Sequence, residues 1–236
     1  MRKFALAATI ALGVAAIATP SSARPWGDDR LMIDVPGGWT IVDGSHRRLD
    51  DRSYIEIAAP DDDCAFFSTN AQIANAAVAR SAISEDDRFP AAYLAQVAGM
   101  FPTLIPGAAT VTANSIDTSG AWPIRRLSYR AGDRVAHAAI QWRPGLQLIA
   151  MCARYQGADS QASRYDAIFR SVAHPNDATW LTEAQAQSQA SAAQAAQATE
   201  TEAANAAAEA ENARVRQHNE EAERQEQRQR RGGRFN

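Results

Sequence analysis

Between Ala109 and Tyr155 the chain runs through four strand-like stretches in close succession: ATVTANSID, WPIRRLSYRA, RVAHAAIQWR and LQLIAMCARY. Their separators contain TSG, AGD and RPG, residue types that reverse a chain within a few positions. Strands joined this tightly pair with their sequence neighbours running the other way, so the stretch predicts an antiparallel meander. The other patterns supply cover for it. LMIDV, Leu31 to Val35, reads as a short strand, and PGGW, Pro36 to Trp39, as a turn that delivers Trp39 to the interior. YIEIAAP, Tyr54 to Pro60, is a strand; Asp61, Asp62 and Asp63 follow Pro60 as a turn, and CAFFSTN completes a hairpin. FPAAYLAQVAGMF places Tyr93, Leu94, Val97 and Phe101 at helical spacing, with Pro102 ending the helix. SQASRYDAIFRSV, Ser160 to Val172, carries Tyr165, Ile168, Phe169 and Val172 on one stripe. The expected class is α+β: one antiparallel sheet with helices packed on its faces.

The first residues, MRKFALAATIALGVAAIATPSSA, have the composition of an export signal. Arg2 and Lys3 form a basic start, and Phe4 to Ala18 is an apolar run too short for a comfortable membrane span. Pro20 breaks it, and Ser21 and Ala23 are the small residues of a cleavage site. The expectation is a periplasmic or secreted protein cleaved near Ala23; the alternative is an uncleaved anchor helix. The two cysteines then meet an oxidising compartment, where an even count points to a bridge between Cys64 and Cys152. Closing so long a loop is worth about 4–5 kcal/mol on chain-entropy grounds. A zinc site calls for more sulfur and histidine than the chain provides. Asp61 to Asp63 lack the alternation and glycine of a calcium loop. No metal and no cofactor is expected.

With IDVPGGW near the start, a hairpin into CAFF, one helix after a variable loop, the four-strand meander and a closing helix ending in IFRSV, residues 29 to 173 resemble the PsbP-like (Mog/PsbP) fold, an α/β/α sandwich found in small exported bacterial domains. The resemblance implies a binding or assembly domain used mostly without catalysis, and it carries no catalytic or ligand residue onto any position here. With the export signal and the change of composition near residue 175, the expected organisation is a signal peptide over 1–23, a PsbP-like domain over 24–175 and an extension over 176–236.

Three histidines fall in the domain. His137 lies mid-strand, His174 adjoins Pro175 and reads as solvated, and His46 sits in the charged stretch DGSHRRLDDR, read as a loop. A nucleophile elbow, phosphate loop, dinucleotide fingerprint and HExxH motif are all missing from the sequence. Arg47 and Arg48 are candidates for binding a carboxylate or small ligand. On WPIRRLSYR, alternation puts Arg126, Ser128 and Arg130 on one face and Arg125, Leu127 and Tyr129 on the other. With Arg143 and Arg154 on the next strands, Arg126 and Arg130 form a candidate anion or partner surface, lined by Trp122, Trp142 and Tyr129. The competing reading is a solvated face with the aromatics in the core.

From Thr182 to Val215 the chain is Ala, Gln, Glu, Asn, Ser and Thr almost throughout, without Gly, Pro or aromatics. Residues 177 to about 231 should be helical. Glu183, Glu200, Glu202, Glu209 and Glu211 lie before any base, and the arginines, including Arg228, Arg230, Arg231 and Arg234, come after. This polarity suits the helix dipole. Leu or Ile heptads are missing, so a strong coiled coil is not supported; a single helix, a weak alanine-seamed assembly and a partly disordered tether remain open. The expected function is a non-catalytic exported envelope protein, a binding or assembly module with a helical spacer or docking tail. Its partner would be an envelope protein or anionic polymer, with no nucleic acid, no transmembrane span in the mature chain and weak self-association through the tail at most. The alternatives are a small hydrolase or ligand-modifying enzyme using His137 or His46, and a structural protein that self-assembles through the tail.

Overall fold

The computed structural model describes residues 23–154 and 162–232. The expected signal segment and the residues around Ser160 lie outside the described residues. The chain divides into two compact units. Of the described residues, one unit, the head, takes those up to Ala74 together with those of Val78–Asp177; the other takes those from Ala178 onward with Asn75–Ala77.

In the head, β1 (Arg24–Gly27) and β2 (Met32–Val35) form a two-stranded hairpin. The main sheet contains β3 (Thr40–Ile41), β4 (Arg47–Leu49), β5 (Arg52–Ala58), β6 (Asp62–Asn70), β7 (Thr110–Asp117), β8 (Ile124–Ala131), β9 (Arg134–Arg143) and β10 (Leu146–Arg154). Its order is β3-β5-β6-β10-β9-β8-β7, with β4 also on β5, and every pairing is antiparallel. The meander appears where the turn residues place it. Gly132 (φ 62°) and Gly145 (φ 72°) occupy the left-handed conformation that their tight hairpin turns need. With two-residue turns the registers follow at once: Ala131 faces Arg134, and Arg143 faces Leu146.

The two faces of the sheet are covered differently. On one, Ile55, Ile57, Phe66, Leu148 and Ala150 pack with Leu31, Ile33 and Val35 of the hairpin. Ile168, Phe169 and Val172, in and just after α3 (Asp166–Ser171), complete that core. On the other face, the Tyr129 hydroxyl donates to the Leu94 carbonyl of α2 (Ala91–Gly99) at 2.9 Å, and Phe89 stacks on Trp142 at 4.9 Å. Trp122, Trp142 and Tyr129 are therefore core residues. Trp39 reaches the core only in part.

Several local expectations are corrected. Arg47–Leu49 of the supposed loop is an edge strand, because its backbone pairs with β5. Ala76–Ala82 forms a helix, α1, where a variable loop was expected. Asp62 and Asp63 are not in the turn but open β6; Pro60 and Asp61 alone make the reversal, closed by the Ala59 amide donating to the Asp62 carbonyl at 2.7 Å. The closing helix is short, preceded by a 3-10 turn over Ala162–Tyr165.

The second unit is dominated by α4 (Asp177–Gly232), 56 residues long. Ala184 is buried and every residue from 185 to 228 is exposed. No helix among the described residues is long and apolar enough to cross a membrane.

Candidate functional site

The register puts all four candidate arginines of the meander on one sheet face, since Arg126 faces Ala139, and Ala139 faces Ala150. They do not gather into one surface. Arg143 is buried, donating to both Asp177 carboxylate oxygens at 2.6 and 3.1 Å and to Gln141 at 2.9 Å, with its guanidinium 4.1 Å from the Trp122 ring centre. Burial lowers its pKa and the bond to Asp177 opposes that. Arg126 is held by Asp166 and by Asp117 at 2.7 Å. Hydrogen bonds from Ser119 first, then from Arg126, hold Asp117 well below the usual carboxylate range. Arg154 lies 3.6 Å from Asp61. Arg130 alone of the four is exposed without an ion pair among the described residues. Arg143 sits at the opposite end of β9 from the rung of Arg130. Arg228 is exposed on α4; the side chains of Arg230 and Arg231, and all of Arg234, lie outside the described residues.

One rung crosses the sheet as Ile57, Cys64, Cys152, His137 and Ser128. Cys64 and Cys152 are bonded to each other with Cα atoms 4.1 Å apart, and both are fully buried. Ser128 Oγ and His137 Nδ1 lie 2.9 Å apart. The sequence singled out the histidine and missed its serine. The AGD turn held the signal, because a two-residue loop at Gly132 and Asp133 places Ser128 opposite His137. Beside them Asp62, fully buried, accepts from the Tyr165 hydroxyl at 2.7 Å and from Arg164 at 2.5 Å. Burial, with Asp62 adding to it, pushes the Tyr165 phenol well above its usual range.

His46 bonds Asp28 at 3.1 Å, and Asp28 also accepts from the Ser53 hydroxyl and the Arg30 and Leu31 amides. Burial raises the Asp28 pKa, but these bonds together leave it lowered. Arg48 forms a two-pronged pair with Asp29 at 2.7 and 2.8 Å, which holds Asp29 at about 2. His174, expected in solvent, is buried: its Nδ1 accepts from the Asn176 amide at 3.0 Å, and burial lowers its pKa. Among the described residues, no group of three or more His, Cys, Asp or Glu side chains is placed to hold a metal.

Arg47 is arranged otherwise. It faces Tyr54 across β4 and β5, and Tyr54 faces Phe67 of β6, so these side chains share one face. With Leu49, Met100 and Pro102 they line a groove of about 430 Å³. Arg52, Glu56 and Thr103 complete its rim. Arg52 is engaged by Asp51 at 2.9 Å, and Glu56 accepts from the Tyr54 hydroxyl. Burial first, then Glu56, raises the Tyr54 pKa far above its usual value, so the phenol stays a neutral donor. The Arg47 guanidinium is exposed and has no ion pair or hydrogen bond among the described residues.

No family model matches the chain, and no curated protein matches it. In structure the chain is similar to cyanobacterial PsbP (CyanoP) from Synechocystis sp. PCC 6803, at 16% identity, over 69% of this chain and 98% of that one, with a TM-score of 0.44. It is also similar to a crystal structure from Bacteroides thetaiotaomicron VPI-5482, at 8% identity, over 66% of this chain and 49% of that one, with a TM-score of 0.39.

Proposed function

We propose that the protein is a non-catalytic exported module: a disulfide-stapled α+β head that binds or assembles in the cell envelope, carrying a helical spacer or docking tail. The observation that carries this reading is α4, in which every residue from 185 to 228 is exposed. A helix with no buried face contributes nothing to a core of its own, so its use lies in reach or in surface contact. At 1.5 Å per residue it extends roughly 80 Å. Residues 183–213 carry five glutamates and no base, whereas residues 214–236 carry seven arginines against four glutamates, so its far end suits an anionic polymer, lipid head group or acidic protein patch. The disulfide fits an oxidising compartment. Deleting residues 214–236 should release the protein from the envelope fraction; unchanged fractionation overturns the docking role.

One observation favours a second reading, a small hydrolase. The Ser128–His137 distance is what a nucleophile and its base require. On this reading Ser128→Ala and His137→Ala each abolish an esterase activity seen with the wild type. Activity retained by both variants removes it.

A further inference from the structure

We propose that the groove on β4 and β5 is a binding site for an amphipathic monocarboxylate, a free long-chain fatty acid. The proposal rests on reading the head as a binding module, and it names the ligand.

The helical cover of this sheet face is documented over the meander, where Phe89, Tyr93 and Leu94 reach β8, β9 and β10. At the β4–β5 end Leu49, Tyr54 and Phe67 keep contact with solvent; Leu49 is 55% exposed, the most exposed large hydrophobic side chain of the described residues. Met100 and Pro102, just beyond α2, form the far wall. The volume, about 430 Å³, falls in the range of small-molecule sites, about 300–1,000 Å³. An apolar chain lying there removes aromatic and aliphatic surface from water.

Charge decides the head group. Of the charged side chains on the rim, Arg52 already has Asp51 and the Glu56 carboxylate already accepts the Tyr54 phenol. Arg47 has no ion pair or hydrogen bond among the described residues, and its planar fork matches one carboxylate. Glu56, one pleat repeat from Tyr54 on the same face, sets a negative charge close by. A phosphate dianion would meet that repulsion with only Arg47 to offset it, and an uncharged head group would leave the guanidinium without a partner.

The test is calorimetric titration of the full chain with dodecanoate, dodecyl phosphate and dodecanol. The expected result is saturable one-to-one binding of dodecanoate, tighter than either analogue. Arg47→Glu should weaken it about tenfold or more, the scale of a charged hydrogen bond, and Leu49→Asp should weaken it too. Both side chains are exposed, so both variants should unfold at the wild-type temperature. Arg130→Glu, on the opposite face, should bind as the wild type does. Non-saturable binding, an Arg47→Glu variant that binds like the wild type, or dodecyl phosphate or dodecanol binding as tightly as dodecanoate overturns the proposal. Any of these with tail-dependent envelope retention intact removes the ligand and leaves the binding-module reading standing.

Discussion

Strand β10 is buried at every position except its last, Arg154, whereas α4 is exposed at every position from 185 to 228. The strand consists of residues that could serve a helix as well, LQLIAMCAR, and it is a strand because β6 and β9 flank it and both faces are covered. The helix needs no neighbour: alanine, glutamine, glutamate and arginine favour it at each position, and no Gly or Pro intervenes before its end. The lesson is where the stability of each region resides. In the head it resides in contacts between residues far apart in sequence and is lost cooperatively. In α4 it resides within a few turns and is lost gradually.

The largest test of this contrast is Arg143→Ala. It leaves Asp177 facing a protein interior without its cation, and breaking a buried pair costs about 3–5 kcal/mol. Urea unfolding followed by tryptophan fluorescence should show that loss. Arg143→Met, which keeps the packing against Trp122, should cost less. An Arg143→Ala variant as stable as the wild type would show that Asp177 is solvated. Next, replacing Cys64 and Cys152 with alanine should cost the head about 2–5 kcal/mol, while the helical circular dichroism of α4 persists to the same temperature. If both signals fall together, the two regions are coupled.

Acid should then act on the head in two stages. Burial depresses the His174 pKa, so its contribution is complete above the unfolded value of about 6.5 and is lost as pH falls through the lower folded value. Asp117 is also depressed, so its contribution is present above about 3.9 and is lost as pH falls further. His174→Gln should erase the first stage of the stability profile and spare the second; an unchanged profile would assign the first stage to another group. The smallest effect is expected for Ala206→Gly, about 1 kcal/mol within α4. It should lower helicity by circular dichroism and leave the unfolding midpoint of the head where it was.

Turns and periodicity were the legible part of the head. AGD and RPG set the β8–β9 and β9–β10 registers, and the first of these places Ser128 opposite His137. Harder to read were residues whose character depends on what covers them. Asp62 looks like turn chemistry beside Pro60, and only the approach of Tyr165 and Arg164, about a hundred residues later, makes it a buried acceptor. His174 looks solvated beside Pro175, and the fold buries it. The groove draws on 47–56, Phe67 and 100–103, and no local pattern announces that three separate stretches line one concavity.

Local structure was legible in the residues alone: a helix from Asp177 onward, the meander with its AGD and RPG turns, and an even pair of cysteines. These follow from backbone propensity and turn geometry, which act over a few residues. It took the packed fold to set Cys64 opposite Cys152, to enclose Arg143 while leaving Arg47 open, and to fix where the sheet goes uncovered. The reason is that burial, and with it the availability of a charge, is a property of which distant segments meet.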